Sequence, residues 1–437
     1  MRTTDRVSFN SLVEQYLGQC LPPALADTID FPGLPDDARA LVRRMLGLMR
    51  KARFPATDIN PFLTAMLATM VPGVLPCSWG GRIPPLTVPG RHRKLDVYVA
   101  AQDWSRMTSP PVLADLGCGF PPVTTVDTAS ALPHWRIFGV DRFFAAYVVY
   151  DSEGHYACFD AEGLYQYFQP MMTRSGLVMY ADPQATRKHF ETLFETLAPR
   201  LAQTGNSAVG TTAWNGHRLI RNPIREFEST NLTFVETAIE ALTLPPVQAV
   251  RCMNVLIYFK LPVQREMLRK TAALLEKNGL LIAGTSGFGI DSRYTVYRET
   301  DGALIPREFA FSFENLRSLG IMPYFTIHAQ DREAALLADL MSAIRAAPSY
   351  WPVFSKRVDT LMAQKCIGRR DADGFLQPPP EEIPRSEIRE RMAAMWQQLV
   401  SEGFFDGAIK TLESAGYEAW ENAAGDIAVR PPPDFYI

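Results

Sequence analysis

The middle of the chain alternates short apolar runs with stretches whose apolar residues recur at helical spacing. The apolar runs of strand length lie at 112–116, 135–140, 232–235, 249–255 and 280–284. Residues 183–203 and 263–277 have the periodicity of amphipathic helices. This alternation predicts an α/β fold in which a parallel, Rossmann-like sheet carries helices on both faces. Runs at 294–298 and 309–313 are typical of antiparallel strands that close such a sheet.

Helical patterns flank this region on both sides. Before it, residues 37–51 and 60–70 have helical spacing, and a Pro- and Gly-rich stretch separates them from a further helix at 91–104. After it come a helical stretch at 331–366 and a Pro-rich linker at 368–385. The predicted parts are therefore a helical N-terminal cap (1–100), an α/β domain (101–330) and a helical C-terminal extension (331–437).

The second and third predicted strands are unusually far apart in the chain. Residues 141–231 separate them, whereas a plain crossover needs only ~12 to 30 residues. Within this stretch, residues 147–159 alternate around Ser152, Glu153 and Gly154 as a hairpin would. We therefore expect an inserted subdomain at about 144–230, and we expect it to take part in substrate recognition.

Composition excludes several classes of protein. The chain has 437 residues, of which 47% are apolar and 21% charged, and its net charge is −3. These values indicate a globular protein of more than one domain, with neither nucleic acid nor an anionic membrane as its expected partner. No run approaches the ~18 apolar residues of a membrane span, and the N-terminus lacks the apolar core of a signal peptide.

The six cysteines are scattered singly along the chain. They have neither the paired spacing of a zinc site nor the pattern of a disulfide framework. We therefore expect a cytoplasmic protein with free thiols and no bound metal. The sequence leaves homo-oligomerisation open.

Residues 112–122, VLADLGCGFPP, join a predicted strand to a predicted helix through two glycines. Gly117 and Gly119 allow a tight turn and let a ligand approach the backbone. The helix that follows offers free N–H groups and the positive end of its dipole. Because Asp115 precedes the glycines and Cys118 lies between them, we predict that all four residues contact a cofactor.

The pattern Asp-x-Gly-x-Gly is typical of folds that bind S-adenosylmethionine (SAM). A dinucleotide-binding loop would have a third glycine where Pro122 stands, so an NAD-linked oxidoreductase is a less favoured alternative. Asp141 ends the second predicted strand, 22 residues after Gly119, where a carboxylate can accept hydrogen bonds from both ribose hydroxyls. Taken alone, Asp141 could equally be a surface turn acid. Together with the glycines at this spacing, it is predicted to bind the cofactor, with Arg142 beside it.

Residues 251–259, RCMNVLIYF, end the fourth predicted strand. This segment resembles Cys-Arg-Asn-Val-Leu-Ile-Tyr-Phe of the chemotaxis receptor (CheR-like) methyltransferases, a family of class I SAM-dependent enzymes, and GLLIAGTSGFG at 279–289 resembles the strand that follows there. The resemblance covers about residues 112–289 without the insertion. It implies that Asn254 and Val255 lie near the amino acid moiety of SAM and that Tyr258 borders the transferred methyl group.

The chain also departs from that family. Met253 stands where the family has arginine, and the family's own substrate-binding β-subdomain has no obvious counterpart. The resemblance therefore implies a shared fold and cofactor, but not a receptor glutamate as the substrate.

Two further residues are candidates for the functional site, and each has a non-functional alternative. Glu236, at the end of the third predicted strand, is the candidate contact to the adenine amino group, and a solvated turn acid is the equal alternative. His217, near the end of the insertion beside Trp214 and Asn215, is the candidate general base. A structural or exposed histidine is the alternative, and Trp214 is favoured as a packing residue.

The sequence thus predicts a SAM-dependent methyltransferase whose acceptor is a small molecule or a protein side chain. Methyl transfer requires alignment of the acceptor and exclusion of water, and a general base is needed only if the acceptor has a proton to lose. The alternative is a catalytically inactive SAM-binding regulatory or partner protein.

Overall fold

The architecture is taken from a computed structural model. It describes residues 9–21, 36–59, 87–104, 110–169, 179, 182–203, 205, 208–287, 291–317, 322–326, 331–377, 383–432 and 435. The predicted helix at 60–70 lies outside these residues.

The helices of the described chain are α1 (Phe9–Leu17), α2 (Asp36–Lys51), α3 (Arg93–Ala100), α4 (Val123–Ala131), α5 (Pro183–Ala202), α6 (Leu261–Leu274), α7 (Arg332–Ala346), α8 (Trp351–Gln364), α9 (Arg385–Ser401) and α10 (Phe404–Ser414). The strands are β1 (Val112–Leu116), β2 (Arg136–Asp141), β3 (Tyr147–Tyr150), β4 (Tyr156–Phe159), β5 (Tyr165–Gln169), β6 (Gly210–Trp214), β7 (His217–Arg221), β8 (Leu232–Glu236), β9 (Val247–Met253), β10 (Leu275–Ser286), β11 (Ser292–Thr300), β12 (Ala303–Phe311), β13 (Arg369–Arg370), β14 (Leu376–Gln377), β15 (Ala419–Glu421) and β16 (Ile427–Val429).

A mixed sheet is the centre of the fold, and the described strands in it run in the order β15-β16-β12-β11-β10-β9-β1-β2-β8. The strands β8, β2, β1, β9 and β10 are parallel to one another, and the edge beyond β10 is antiparallel. The chain order of the parallel strands is 3-2-1-4-5, so it reverses between β1 and β9. Ligands of open α/β sheets bind at such a reversal, outside the carboxyl ends of the strands.

Both faces of the sheet are covered, as the alternating pattern predicts. On one face, Leu113 and Ile137 pack with apolar residues of α3, α4 and the inserted subdomain. On the other, Ala114 and Phe138 pack with Met267 of α6 and its neighbours. The Rossmann-like α/β fold is therefore confirmed.

The ends of two predicted elements differ from the sequence-based prediction. The fourth strand stops at Met253, because Asn254 has a left-handed backbone (φ 59°) that breaks the extended chain. The predicted helix at 263–277 ends at Leu274, since Leu275 pairs with Val247 as the first residue of β10.

The insertion is a subdomain with its own antiparallel sheet, in the order β5-β4-β3-β7-β6. The predicted hairpin is confirmed as β3 and β4, which turn through Gly154 with a positive φ of 86°. Helix α5 packs on this sheet, where Phe194 stacks on Phe159 with ring centroids 4.5 Å apart.

The N-terminal and C-terminal helices share one apolar core. Met45 of α2 belongs to the same cluster as Leu337 of α7 and Trp396 of α9, and the C-terminal strands β15 and β16 extend the central sheet beyond β12. The first part of the predicted linker contains the hairpin of β13 and β14, where Arg370 forms an ion pair with Asp58. The domain boundaries given above stay a prediction. Within the described chain, no helix is both long enough and apolar enough to cross a bilayer.

Candidate functional site

The two glycines after β1 form a tight turn at the carboxyl edge of the sheet. Gly117 and Gly119 have positive φ angles of 74° and 67°, and the N–H groups of Gly117 and Cys118 both donate to the carbonyl oxygen of Val140 in β2. A Cβ atom on Gly117 would lie 2.2 Å from Cγ2 of Val255. Glycine is therefore required here by both backbone conformation and space.

Cys118 is buried within this turn, and burial raises the pKa of its thiol well above the ordinary value. The thiol is therefore neutral at physiological pH and does not act as an ionic ligand.

Asp141 holds the turn from the neighbouring strand. Its Oδ2 atom accepts a hydrogen bond from the N–H of Gly119 at 2.9 Å, and its Oδ1 atom lies 3.4 Å from the N–H of Phe143. Burial raises the pKa of Asp141, and the N–H groups of Gly119 and Phe143 oppose that effect. The structure thus brings together the predicted carboxylate and the predicted glycine turn. The contact of Asp141 with ribose stays a prediction.

Glu236 lies beside Asp141, because β2 and β8 pair these two residues in register. The side chain of Glu236 is exposed, and its Oε2 atom accepts a hydrogen bond from the N–H of Phe144 at 3.1 Å. Arg142 follows Asp141 at the strand end and is also exposed. Both residues are therefore at the expected edge of the sheet, and their contacts to a cofactor stay predictions.

The carboxylate of Asp115 points into the protein and has internal partners. Arg251 donates from Nε to Oδ1 at 2.9 Å and from Nη2 to Oδ2 at 2.7 Å, and the hydroxyl of Thr125 donates to Oδ2 at 2.5 Å. Asp115 is 3% exposed, so any influence on a ligand is exerted through the turn that follows it. Sequence reasoning missed the role of Arg251, although a charged residue within an apolar strand was a signal.

Asn254 joins the ends of β9 and β10. Its side-chain Nδ2 donates to the carbonyl oxygen of Ser286 at 3.1 Å, and its Oδ1 atom accepts from the N–H of Ser286 at 2.9 Å. Its own N–H donates to the carbonyl oxygen of Gly284 at 2.8 Å. The side chain therefore fixes the shape of the carboxyl edge, and its predicted position near the cofactor amino acid moiety stays a prediction.

Tyr258 lies in the short helix after β9, close to charged residues from the N-terminal region. Burial raises the pKa of Tyr258 to about 12, and the positive charge of Arg91 partly offsets this. The guanidinium of Arg91 donates to the carbonyl oxygen of Ser286, and Nε2 of His92 lies 3.3 Å from the Ser286 hydroxyl. Sequence reasoning predicted a helix at 91–104 but did not place its first residues at the site.

Asp291 adds a carboxyl group to the same edge. Burial raises its pKa to about 7, and the charge of Arg91 opposes that shift. The carboxyl end of the central strands thus carries both cationic and acidic groups, which together with Tyr258 suit a polar ligand.

His217 lies within the inserted sheet rather than at the glycine turn. It pairs with Trp214 across the β6–β7 hairpin and is half-buried. Burial lowers the pKa of His189, and the nearby carboxylate of Asp151 opposes this shift. Trp214 lies under the guanidinium of Arg200 at 5.0 Å. The role of His217 as a general base stays a prediction.

Tyr156, rather than His217, connects the inserted sheet to the glycine turn. The hydroxyl of Tyr156 donates to the carbonyl oxygen of Phe120 at 3.0 Å, and the rings of Tyr156 and Phe120 meet edge to face at 5.9 Å. Phe227 contacts the Phe120 ring at 6.2 Å. The insertion therefore forms one wall beside the turn.

Comparison with known families gives a match over residues 188–292 to the CheR methyltransferase, SAM binding domain. The matched segment runs from α5 to the first residue of β11, so it includes β9 with Asn254 but not the glycine turn. This match confirms the predicted resemblance, and over these residues the chain is similar to a methyltransferase SAM-binding domain. No curated protein matches.

Solved structures of methyltransferases are also similar to this chain, with low TM-scores. The N-methyltransferase NodS from Bradyrhizobium japonicum WM9, in complex with S-adenosyl-L-homocysteine (SAH), has 10% identity and a TM-score of 0.21, covering 44% of this chain and 59% of its own. SAM-bound CalS10 from Micromonospora echinaspora, an amino pentose methyltransferase, has 11% identity and a TM-score of 0.21, covering 51% and 68%. An O-methyltransferase family 2 protein from Planctomyces limnophilus DSM 3776, in complex with apigenin, has 10% identity and a TM-score of 0.22, covering 96% and 67%. This chain spans less than two thirds of the length of NodS.

Proposed function

We propose that the protein is a SAM-dependent methyltransferase that transfers the methyl group to a small molecule or a protein side chain. The observation that carries the proposal is the hydrogen bond between Asp141 and the N–H of Gly119. It places a carboxylate and a glycine turn together at the reversal of strand order, in a chain whose following strands match a SAM-binding domain.

The residues at this edge fit the chemical groups of SAM. Gly117 is exposed at the turn, and the half-buried Asp141 can accept hydrogen bonds from a ribose. Glu236 is the candidate for the adenine amino group, while Asn254 and Val255 are the candidates for the amino acid moiety. Together they span the carboxyl ends of β8, β2, β1 and β9.

SAM, when bound, supplies a methyl group on a positively charged sulfur. The chain then has to align the acceptor and exclude water, which requires no covalent link to a protein side chain. Tyr258, in the short helix after β9, is the candidate to border the transferred methyl group, and its raised pKa keeps its hydroxyl neutral and able to donate. His217 is the candidate base for an acceptor that loses a proton.

The acceptor class follows from charge and from the walls of the site. A net charge of −3 does not favour nucleic acid as the acceptor. The inserted sheet, which contacts the turn at Phe120, is the candidate surface for recognition of the acceptor. The free thiols of Cys118, Cys158 and Cys252 support a cytoplasmic location, and the oligomeric state is left open.

Calorimetric titration with SAM, SAH and NAD tests the proposal. We expect SAM and SAH to bind and NAD not to bind. Asp141→Ala should weaken SAM binding by about 1–3 kcal/mol, as expected for lost charge-assisted hydrogen bonds. Asp301→Ala, in the exposed turn between β11 and β12, is the matched control and should bind like the wild type.

Release of SAH in the presence of cell extract then tests turnover. Binding of NAD alone would contradict the proposed cofactor. Tight SAM binding without extract-dependent release of SAH would favour a SAM-binding regulatory protein instead.

A further inference from the structure

Arg251 is a fully buried cation in β9, with 2% of its surface exposed. It lies on the face of the sheet that α3 and α4 cover, and it is in register with Asp115 on β1. The two-point ion pair between these residues, described above, therefore ties β9 to β1 two residues before the glycine turn begins at Gly117.

The same guanidinium also reaches the far end of the turn. The turn leads into α4, where Thr125 donates its hydroxyl to Asp115 and the carbonyl oxygen of Thr124 lies 3.4 Å from Nη2 of Arg251. Asp115, before the turn, and Thr124 and Thr125, after it, are therefore held together around the guanidinium of Arg251. The segment between these two anchors is residues 116–123, which include both glycines.

Helix α3 is bound to the remaining guanidinium nitrogen of Arg251, Nη1. Nη1 donates to Oδ1 of Asp96 in α3 at 2.9 Å and to the hydroxyl of Thr128 at 2.7 Å, and Thr128 donates to the same Asp96 oxygen at 2.8 Å. Helix α3 begins directly after Arg91 and His92, which contact Ser286 at the site. One side chain therefore connects the turn to the segment that carries these two residues.

Stability alone is a poor explanation for this network. Burying charges costs free energy, so a buried ion pair is often no more stabilising than apolar residues of the same volume. Here one cation faces two carboxylates, and burial raises the pKa of Asp96 to about 6 despite the nearby guanidinium. What the network provides is a fixed geometry, because the planar guanidinium holds each partner in a set direction.

We propose that Arg251 is a positioning residue for SAM binding, which fixes the glycine turn at both of its ends and holds it in register with α3. This inference rests on the proposed function, since it assumes that the turn binds SAM. Arg251 itself does not touch the ligand, and its effect is transmitted through Asp115 and Thr125.

Arg251→Lys tests the proposal, because lysine keeps the charge but cannot make the fork of hydrogen bonds. The matched control is Arg345→Lys, which changes another buried arginine whose partners include the carbonyl oxygens of Ala52 and Leu316 in the helical core. Each variant is titrated with SAM well below its melting temperature, which is measured separately by circular dichroism. We expect the Kd for SAM to rise about tenfold or more in R251K and to stay within about twofold in R345K.

A second matched pair decides the question if R251K does not fold. Thr125→Val removes the hydroxyl that links α4 to Asp115, while Thr271→Val removes a hydroxyl that donates to the carbonyl oxygen of Met267 within α6; both residues are buried. We expect T125V to weaken SAM binding about three- to tenfold and T271V to have less than about a twofold effect. Equal effects within either pair, or wild-type affinity in both R251K and T125V, would overturn the proposal. Absence of SAM binding by the wild type would instead overturn the proposed function.

Discussion

The hydroxyl of Tyr156, in the inserted sheet, donates a 3.0 Å hydrogen bond to the carbonyl oxygen of Phe120, directly after the glycine turn. The contact joins two parts of the chain that the sequence places 36 residues apart. It gives the insertion a direct mechanical link to the proposed cofactor site. Binding of an acceptor on the inserted sheet and binding of SAM at the turn are therefore expected to be coupled.

Tyr156→Phe should loosen the turn without removing the ring contact to Phe120. Since one neutral hydrogen bond contributes about 0.5–1.5 kcal/mol, we expect the Kd for SAM to rise about two- to tenfold. Titration calorimetry measures this change. Tyr150→Phe is the control, because Tyr150 is the cross-strand partner of Tyr156 and its ring lies under Arg218 rather than against the turn. An unchanged affinity in Y156F would show that the insertion does not influence the turn.

Gly117→Ala should abolish SAM binding at practical concentrations. The new methyl group would lie 2.2 Å from Val255, and the positive φ adds strain of about 1–2 kcal/mol. Gly302→Ala is the matched control, because its φ of 82° imposes the same strain while no atom lies within 4 Å of the added methyl group. G302A should therefore lose some thermal stability and keep its affinity for SAM.

A second-site variant tests the steric part of that argument. Val255→Ala removes the Cγ2 atom that the methyl group introduced by G117A would meet. The double variant G117A/V255A should therefore recover part of the thermal stability that G117A loses. If the double variant is no more stable than G117A, the strain lies in the backbone conformation and not in the contact.

Glu333→Gln should change the pH dependence of stability. Burial raises the pKa of Glu333 to about 8, and the nearby Asp331 adds to this. The folded protein thus holds a proton that the unfolded chain releases near its ordinary pKa of about 4.5, so this group makes folding less favourable as the pH rises from about 4.5 to 8. Glutamine cannot ionise, and its side-chain oxygen can still accept the hydrogen bond from Thr295.

Thermal melts at pH 5, 7 and about 8.5 measure this effect. We expect the melting temperature of E333Q to rise relative to that of the wild type across the series. The exposed Glu240→Gln serves as a control for the loss of an acidic group without burial. A constant difference between E333Q and the wild type at all three pH values would contradict a buried, protonated Glu333.

The sequence predicted the parallel strands well where the chain itself specifies them. Strand β1 has the predicted bounds because its apolar run is followed directly by a glycine that must turn. The hairpin at Gly154 could also be predicted from the sequence, because its two strands and its turn are adjacent in the chain.

Interactions between distant segments could not be predicted. The partners Arg251 and Asp96 are 155 residues apart, and nothing in the local pattern of either one indicates the other. Arg91 reaches Ser286 across 195 residues, so its place at the carboxyl edge depends on how α3 packs on the sheet. The start of β10 at Leu275 was missed for a related reason, because pairing with Val247 outweighs the helical preference of the segment.

The shared core of the first and last helices has a consequence for synthesis of the protein. Phe9 and Met45 leave the ribosome well before Leu337 and Trp396, with which they share one buried cluster. Until the ribosome has released those later segments, the apolar faces of α1 and α2 have no native partner in this core. Completion of this core therefore depends on contacts of long sequence separation, which makes that step slow and leaves the nascent helices α1 and α2 as a natural binding target for chaperones.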